Sequence, residues 1–108
     1  MPPGGEAMAR AFYVEVLGMI EEPKPAELAS RGGCWFTSGG VNIHLGVEST
    51  EFKPARKAHP ALVCAAFDEL MATLQDEGVK IRFEDPAGSR RRAFIEDAFG
   101  NRLELLEA

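Results

Sequence analysis

Apolar residues recur at helical spacing in two stretches of the chain. Ala9, Phe12, Tyr13 and Val16 stand at i, i+3, i+4 and i+7, and Phe67, Leu70, Met71 and Leu74 repeat that spacing. Each set predicts an amphipathic helix with one buried stripe, over residues 6–17 and 67–77. Glu6 and the Asp68-Glu69 pair place negative charge in the first turns, and Gly18 and Gly78 stand where a left-handed residue ends each helix. The two stops lie 60 positions apart. After each stop comes a short apolar stretch, 19–20 or 79–83, then a loop, then two strands around a glycine-containing turn. The first hairpin is expected to join 33–37 to 41–45, and the second 92–95 to 102–105. Another short strand, 60–66, precedes the second helix, with Pro60 at its first position, where a missing N–H is tolerated.

The chain therefore reads as a repeat. Overlaying the halves puts His44 on Glu104, 60 positions apart, and Phe36 on Phe94, 58 apart. The difference is even, and an even insertion in the second turn keeps the last strand's side chains on the same faces. On this register Val41, Ile43, Leu45, Leu103 and Leu105 lie under the helices, while Asn42, His44, Arg102 and Glu104 face away. The second half is β-α-β-β-β and the first only α-β-β-β. Its opening strand is expected at or before the start of the chain, and Met1-Pro-Pro-Gly-Gly5 is a poor strand. We therefore expect the first strand of module one to be missing from the sequence.

Candidate chemistry sits on the helix-free faces. The chain has two histidines. His44, His59 and Glu104 make a set of two imidazoles and one carboxylate, which suits open catalytic zinc sites and the facial triad of ferrous iron. Trp35, Phe36 and Phe94 are candidates for core, for cleft wall and for stacking on a substrate. Lys53, Arg56 and Lys57 lie between the halves and Arg90 to Arg92 lead into a strand, where Arg92 is a candidate contact for an anionic substrate.

Composition narrows the classes. The chain has 108 residues, a formal net charge of −5 and 45% hydrophobic content, which suits one soluble domain without a general drive towards nucleic acid. No apolar run approaches the roughly 20 residues of a membrane span. The first residues lack the basic flank and apolar stretch of a secretory signal, and Cys34 and Cys64 form no close pair, so a reducing cytoplasm is expected.

Several runs carry a family resemblance: Phe12-Tyr-Val-Glu-Val-Leu-Gly18, His44-Leu-Gly-Val-Glu48, His59 opening the second module, and Phe94-Ile-Glu-Asp-Ala-Phe-Gly-Asn-Arg-Leu-Glu104. With two tandem βαβββ modules, the chain resembles the vicinal oxygen chelate superfamily, which includes glyoxalase I, bleomycin- and fosfomycin-resistance proteins, extradiol dioxygenases and methylmalonyl-CoA epimerase. Ala98 stands where the family commonly has proline. The resemblance implies an α+β fold in which the modules form a curved mixed sheet around a cleft, as a single domain over 1–108. Module one would span 1–50, a linker 51–58 and module two 59–108. It further implies a divalent metal, zinc, iron, nickel or manganese, with His59 and Glu104 matching ligand positions. His44 lies where glyoxalase I has a glutamate.

The expected function is a small metal-dependent enzyme of the glyoxalase or dioxygenase type, in which the ion chelates vicinal oxygens of a small substrate and Glu104 serves catalysis. The alternative is a metal-free protein that sequesters a drug or metabolite, as bleomycin-resistance proteins do. A homodimer is expected, since a missing strand leaves an open sheet edge.

Overall fold

The apolar stripes become helices that each cover one face of a sheet. The computed structural model describes residues 1–49 and 51–108, and the chain divides into two compact units, Met1–Lys53 and Pro54–Ala108. The first unit holds α1 (Glu6–Arg10), a π-helical continuation (Ala11–Val16), β1 (Ile20–Glu22), α2 (Ala26–Ala29), β2 (Cys34–Ser38) and β3 (Val41–Leu45). The second holds β4 (Ala61–Cys64), α3 (Phe67–Asp76), β5 (Arg82–Ala87), β6 (Arg90–Glu96) and β7 (Arg102–Glu107). The fold is α+β with one sheet per unit, ordered β1-β2-β3 and β4-β7-β6-β5. All pairs are antiparallel except β4 with β7.

Both predicted helices and their glycine stops are present, with one difference. Gly18 and Gly78 have φ of 76° and 75°, the left-handed conformation that glycine adopts without a Cβ clash. After α3, Val79 N–H donates to the Leu74 carbonyl and Gly78 N–H to that of Gln75, the paired bonds of a Schellman cap. Residues 78 and 79 thus belong to the helix exit, and β5 starts at Arg82 instead of 79. The first helix ends wider. Leu17 N–H reaches the Phe12 carbonyl five residues back, and Met19 N–H that of Tyr13. The run Phe12-Tyr-Val-Glu-Val16 crowds an α-turn with aromatic and β-branched side chains, and the wider turn buries Phe12 and Tyr13 together. Tyr13 stacks on Phe36, with ring centroids 5.0 Å apart.

Met1 lies beside the chain just past β3. Its α-amino group donates to the Gly46 carbonyl at 2.8 Å, and Glu48 N–H donates to the Met1 carbonyl at 2.9 Å. That is the bonding of a parallel bridge, the same kind of neighbour that β4 is to β7. No strand precedes α1 among the described residues.

The hairpin registers correct the overlay of the two halves. Trp35 pairs with His44 in one hairpin and Phe94 with Glu104 in the other. His44 and Glu104 are equivalent positions, but the counterpart of Phe94 is Trp35, 59 positions earlier, and Phe36 points to the other face. The insertion in the second turn is one residue, which is odd. The physical reason is the turn itself. Gly39-Gly40 closes β2–β3 as a two-residue loop, whereas Asp97 and Asn101 bracket three residues in which Gly100 has a φ of 86°. A three-residue loop ending in a left-handed glycine absorbs one residue without changing the register.

Asp97 holds that loop. Its Oδ1 accepts from the N–H groups of Phe99 and Asn101, each at 2.9 Å, and its Oδ2 from Asn101 Nδ2 at 2.9 Å. The residue is 6% exposed, so removing the carboxylate strands three donors where water has little access. Asp97→Ala is expected to lower unfolding stability by about 2 kcal/mol or more in urea denaturation, and Asp97→Asn by less, because an amide oxygen still accepts. Stability equal to the wild type in Asp97→Ala would contradict this role.

A second carboxylate joins α1 to the start of β2. Glu6 Oε2 accepts from Gly33 N–H at 2.9 Å. That bond, ahead of the other influences, holds the Glu6 carboxyl below the ordinary glutamate range. A lowered folded-state pKa gives stability that is present above the ordinary range and lost as pH falls through the lowered value. Glu6→Gln should therefore be less stable than wild type at pH 7, by about 1 kcal/mol for a partly exposed bond to a charged acceptor. The gap should begin to narrow as pH falls below the ordinary glutamate range and close once pH falls through the lowered folded-state value, where the wild-type carboxyl is also neutral. A gap that persists undiminished at low pH would contradict it.

Candidate functional site

Parallel pairing of β4 with β7 brings His59 to Glu104. Ala61 is the register partner of Glu104, and Glu104 N–H donates to the Pro60 carbonyl at 3.0 Å. His59 precedes the strand and a proline, which biases its backbone towards an extended conformation. Its imidazole lies over β7, with Nε2 2.9 Å from Glu104 Oε1 and Nδ1 2.7 Å from the Lys57 carbonyl oxygen. The two side chains are 22% and 13% exposed.

The chemistry of these contacts fixes where protons go. A carbonyl oxygen only accepts, so Nδ1 carries hydrogen. The hydrogen bond from His59, then the one from Arg92, holds the Glu104 carboxyl below its ordinary range despite partial desolvation, so the group is a carboxylate and also only accepts. Nε2 and Oε1 would otherwise face each other lone pair to lone pair. Either a proton on Nε2 or a cation between the two atoms makes the contact favourable.

The other neighbours follow from strand alternation. Phe94, opposite Glu104 on β6, meets the His59 ring edge-on at 5.2 Å. Arg92, two residues before Phe94, places Nη1 3.4 Å from Glu104 Oε2 and donates from Nε to the Asp85 carbonyl at 2.8 Å. Arg91 points the other way, pairs with Asp68 and Glu107, and lies over the Phe67 ring. The run of three arginines therefore does not act as one patch. Buried Ala93, Ile95, Leu103 and Leu105 alternate with the polar row and face α3, whose buried residues are Phe67, Met71 and Leu74.

In the first unit the equivalent pair is aromatic. The His44 ring stacks on Trp35 with centroids 3.9 Å apart and planes 3° apart. Of the readings open for Phe36, which were core, cleft wall and a stacking surface for substrate, the structure gives core. Phe36 is fully buried under Tyr13, because neighbouring strand residues point to opposite faces. Cys34 is buried and Cys64 half-buried, both free, and burial pushes both thiols up.

His59 Nε2 and Glu104 Oε1 suit a divalent ion as two donors. An imidazole nitrogen and a carboxylate oxygen are among the donor types such ions take. The Nδ1–H bond to a carbonyl is the outer contact that commonly fixes a liganding imidazole. Among the described residues, no group of three or more His, Cys, Asp and Glu side chains could hold a metal ion. Arg82 and Arg102 also flank this face, and neither was singled out in the sequence as a site residue. Arg102 was legible by alternation from Glu104, whereas Arg82 emerges only from its pairing with Phe94.

Comparison with known proteins agrees with this architecture. A putative glyoxalase family protein from Bacillus anthracis is 45% identical with a TM-score of 0.94, over 99% of this chain and 87% of that one. A lactoylglutathione lyase from Agrobacterium tumefaciens shares the fold at 16% identity and a TM-score of 0.74, covering 100% of this chain and 89% of that one. The antibiotic-binding protein TnmS3 from Streptomyces sp. CB03234 shares it at 23% identity and a TM-score of 0.70, covering 94% and 84%. No match was found among curated proteins. Residues 6–105 match the family model described as Glyoxalase/Bleomycin resistance protein/Dioxygenase superfamily, and the chain belongs to that superfamily.

Proposed function

We propose that the chain is a small metal-dependent enzyme of the glyoxalase or dioxygenase type, with His59 and Glu104 as metal ligands. The observation that carries this reading is the His59–Glu104 contact, in which an imidazole pinned through Nδ1 turns Nε2 onto an ionised carboxylate at 2.9 Å. His44 is the third candidate ligand. A divalent ion there would supply Lewis-acid polarisation of vicinal substrate oxygens.

The chain's own groups have separate tasks. Glu104 is the candidate base, since a carboxylate held by hydrogen bonds and shielded from water can accept a proton when those bonds loosen. The Lys57 carbonyl keeps the imidazole oriented. Arg92 balances the Glu104 charge, and Phe94 and Trp35, each on its own sheet, are the candidate aromatic contacts for a substrate. The free cysteines fit a reducing cytoplasm. β3 lies at the edge of its sheet, and we retain the homodimer as part of the proposal.

A metal-free, ligand-sequestering protein is the second reading. It is favoured by the lack of a three-residue ligand cluster among the described residues, and the fold also serves the antibiotic-binding TnmS3.

Metal analysis of protein purified without a histidine tag separates the two. The enzyme reading predicts retained zinc, iron, nickel or manganese in the wild type and its loss in His59→Ala and Glu104→Ala, both remaining folded by circular dichroism. Absence of metal from every preparation, with no rise in melting temperature on adding any of the four ions, would defeat it in favour of sequestration.

A further inference from the structure

Three guanidinium groups gather around one aromatic ring. The Cζ atoms of Arg82, Arg92 and Arg102 lie 5.1, 5.7 and 5.6 Å from the Phe94 ring centroid. Pairing explains the convergence. Arg82 of β5 is the register partner of Phe94, Arg92 precedes it by two residues on β6, and Arg102 precedes its β7 partner, Glu104, by two. All three therefore project from the helix-free face of the sheet.

Two of these cations meet a carboxylate at ion-pair distance and the third does not. Arg82 pairs with Glu84 at 2.8 Å and Arg92 meets Glu104 at 3.4 Å, while Glu104 is shared with His59. Arg102 is register partner to the exposed Glu96, yet among the described residues it forms no ion pair. Like charges this close repel one another, and an aromatic face offsets only part of that repulsion at a solvated site. Arg102 thus offers a guanidinium without an ion pair among the described residues, in the row next to the His59–Glu104 contact. The Arg82 side chain is 58% exposed and that of Arg92 30%, so the cluster is open to a small ligand.

We propose that Arg102 and Arg82 form an oxyanion subsite that receives a carboxylate or phosphonate group of the small-molecule ligand. This rests on the reading that the His59–Glu104 face is the ligand site. The planar guanidinium fork matches both kinds of oxyanion through paired N–H donors. With the anion anchored beside Phe94, the remainder of the ligand reaches Glu104, the cross-strand partner of that ring. The substrate class is then a small acid, and neutral molecules of the same shape bind poorly.

The test is a titration of the metal-free, chelator-treated full chain with benzoate, phenylphosphonate and neutral benzyl alcohol. Binding is read by calorimetry and by the arginine Nε–Hε signals in ¹H–¹⁵N spectra. At least one of the two anions is expected to bind and benzyl alcohol is not; which anion binds tells whether the natural group is a carboxylate or a phosphonate. Arg102→Gln and Arg82→Gln should each weaken binding on the order of tenfold, the scale of a lost charge-assisted pair of hydrogen bonds. Arg31→Gln, an exposed control, should not, and all three variants should keep the wild-type melting temperature. Absence of binding by either anion, or unchanged affinity in both cluster variants, would overturn the subsite. Because no metal is present, loss of the metal reading leaves this result standing. Retained metal with unaltered anion affinity sinks the subsite alone.

Discussion

The register of the β6–β7 hairpin is the constraint on which the second unit depends. Asp97 closes a three-residue loop, and Phe94 thereby stands opposite Glu104. Side chains alternate along both strands, so Ala93, Ile95, Leu103 and Leu105 go under α3 while Arg92, Phe94, Arg102 and Glu104 go to the open face. A slip by one residue would bury the charged row and expose the apolar one, at a cost no local contact could offset. The parallel strand β4 takes its position from β7, and His59 meets Glu104 because Ala61 is paired with it. The candidate chemistry is thus a consequence of strand pairing.

Much of this was legible from side-chain pattern. The two amphipathic helices, the glycine stops, both hairpins and the equivalence of His44 with Glu104 rest on periodicity, which reports burial directly. What failed depended on backbone conformation. The overlay of Phe36 on Phe94 counted residues across a turn without knowing that Gly100 adopts a left-handed conformation and absorbs one of them. As a result, the aromatic partner on the open face is Trp35, and Phe36 belongs to the core. The wide exit of the first helix and the two residues taken by the Schellman cap after α3 were hidden for the same reason. Arg82 was invisible because its role comes from a strand paired through a bulge-containing ladder between Glu84 and Ala87.

The two units carry the same hairpin geometry with different chemistry. In one, the paired positions hold stacked Trp35 and His44; in the other, Phe94 and a Glu104 that is bonded to His59 and Arg92. In the second arrangement two acceptor-only partners face the imidazole and three guanidinium groups share one ring. A proton on Nε2 or a cation would make the first contact favourable, and the proposed ligand oxyanion would bind at the second. The superfamily sets the fold, and these groups are where we propose that the chain's own specificity lies.

The most direct test is the response of the His59 ring nitrogens to metal. The chain has only two histidines, so a long-range ¹H–¹⁵N spectrum of the imidazoles resolves both rings. The account predicts that zinc shifts the His59 Nε2 signal while Nδ1 keeps its hydrogen, and that Glu104→Gln abolishes the response. His59 signals that stay in place as zinc is added to the wild type would contradict it.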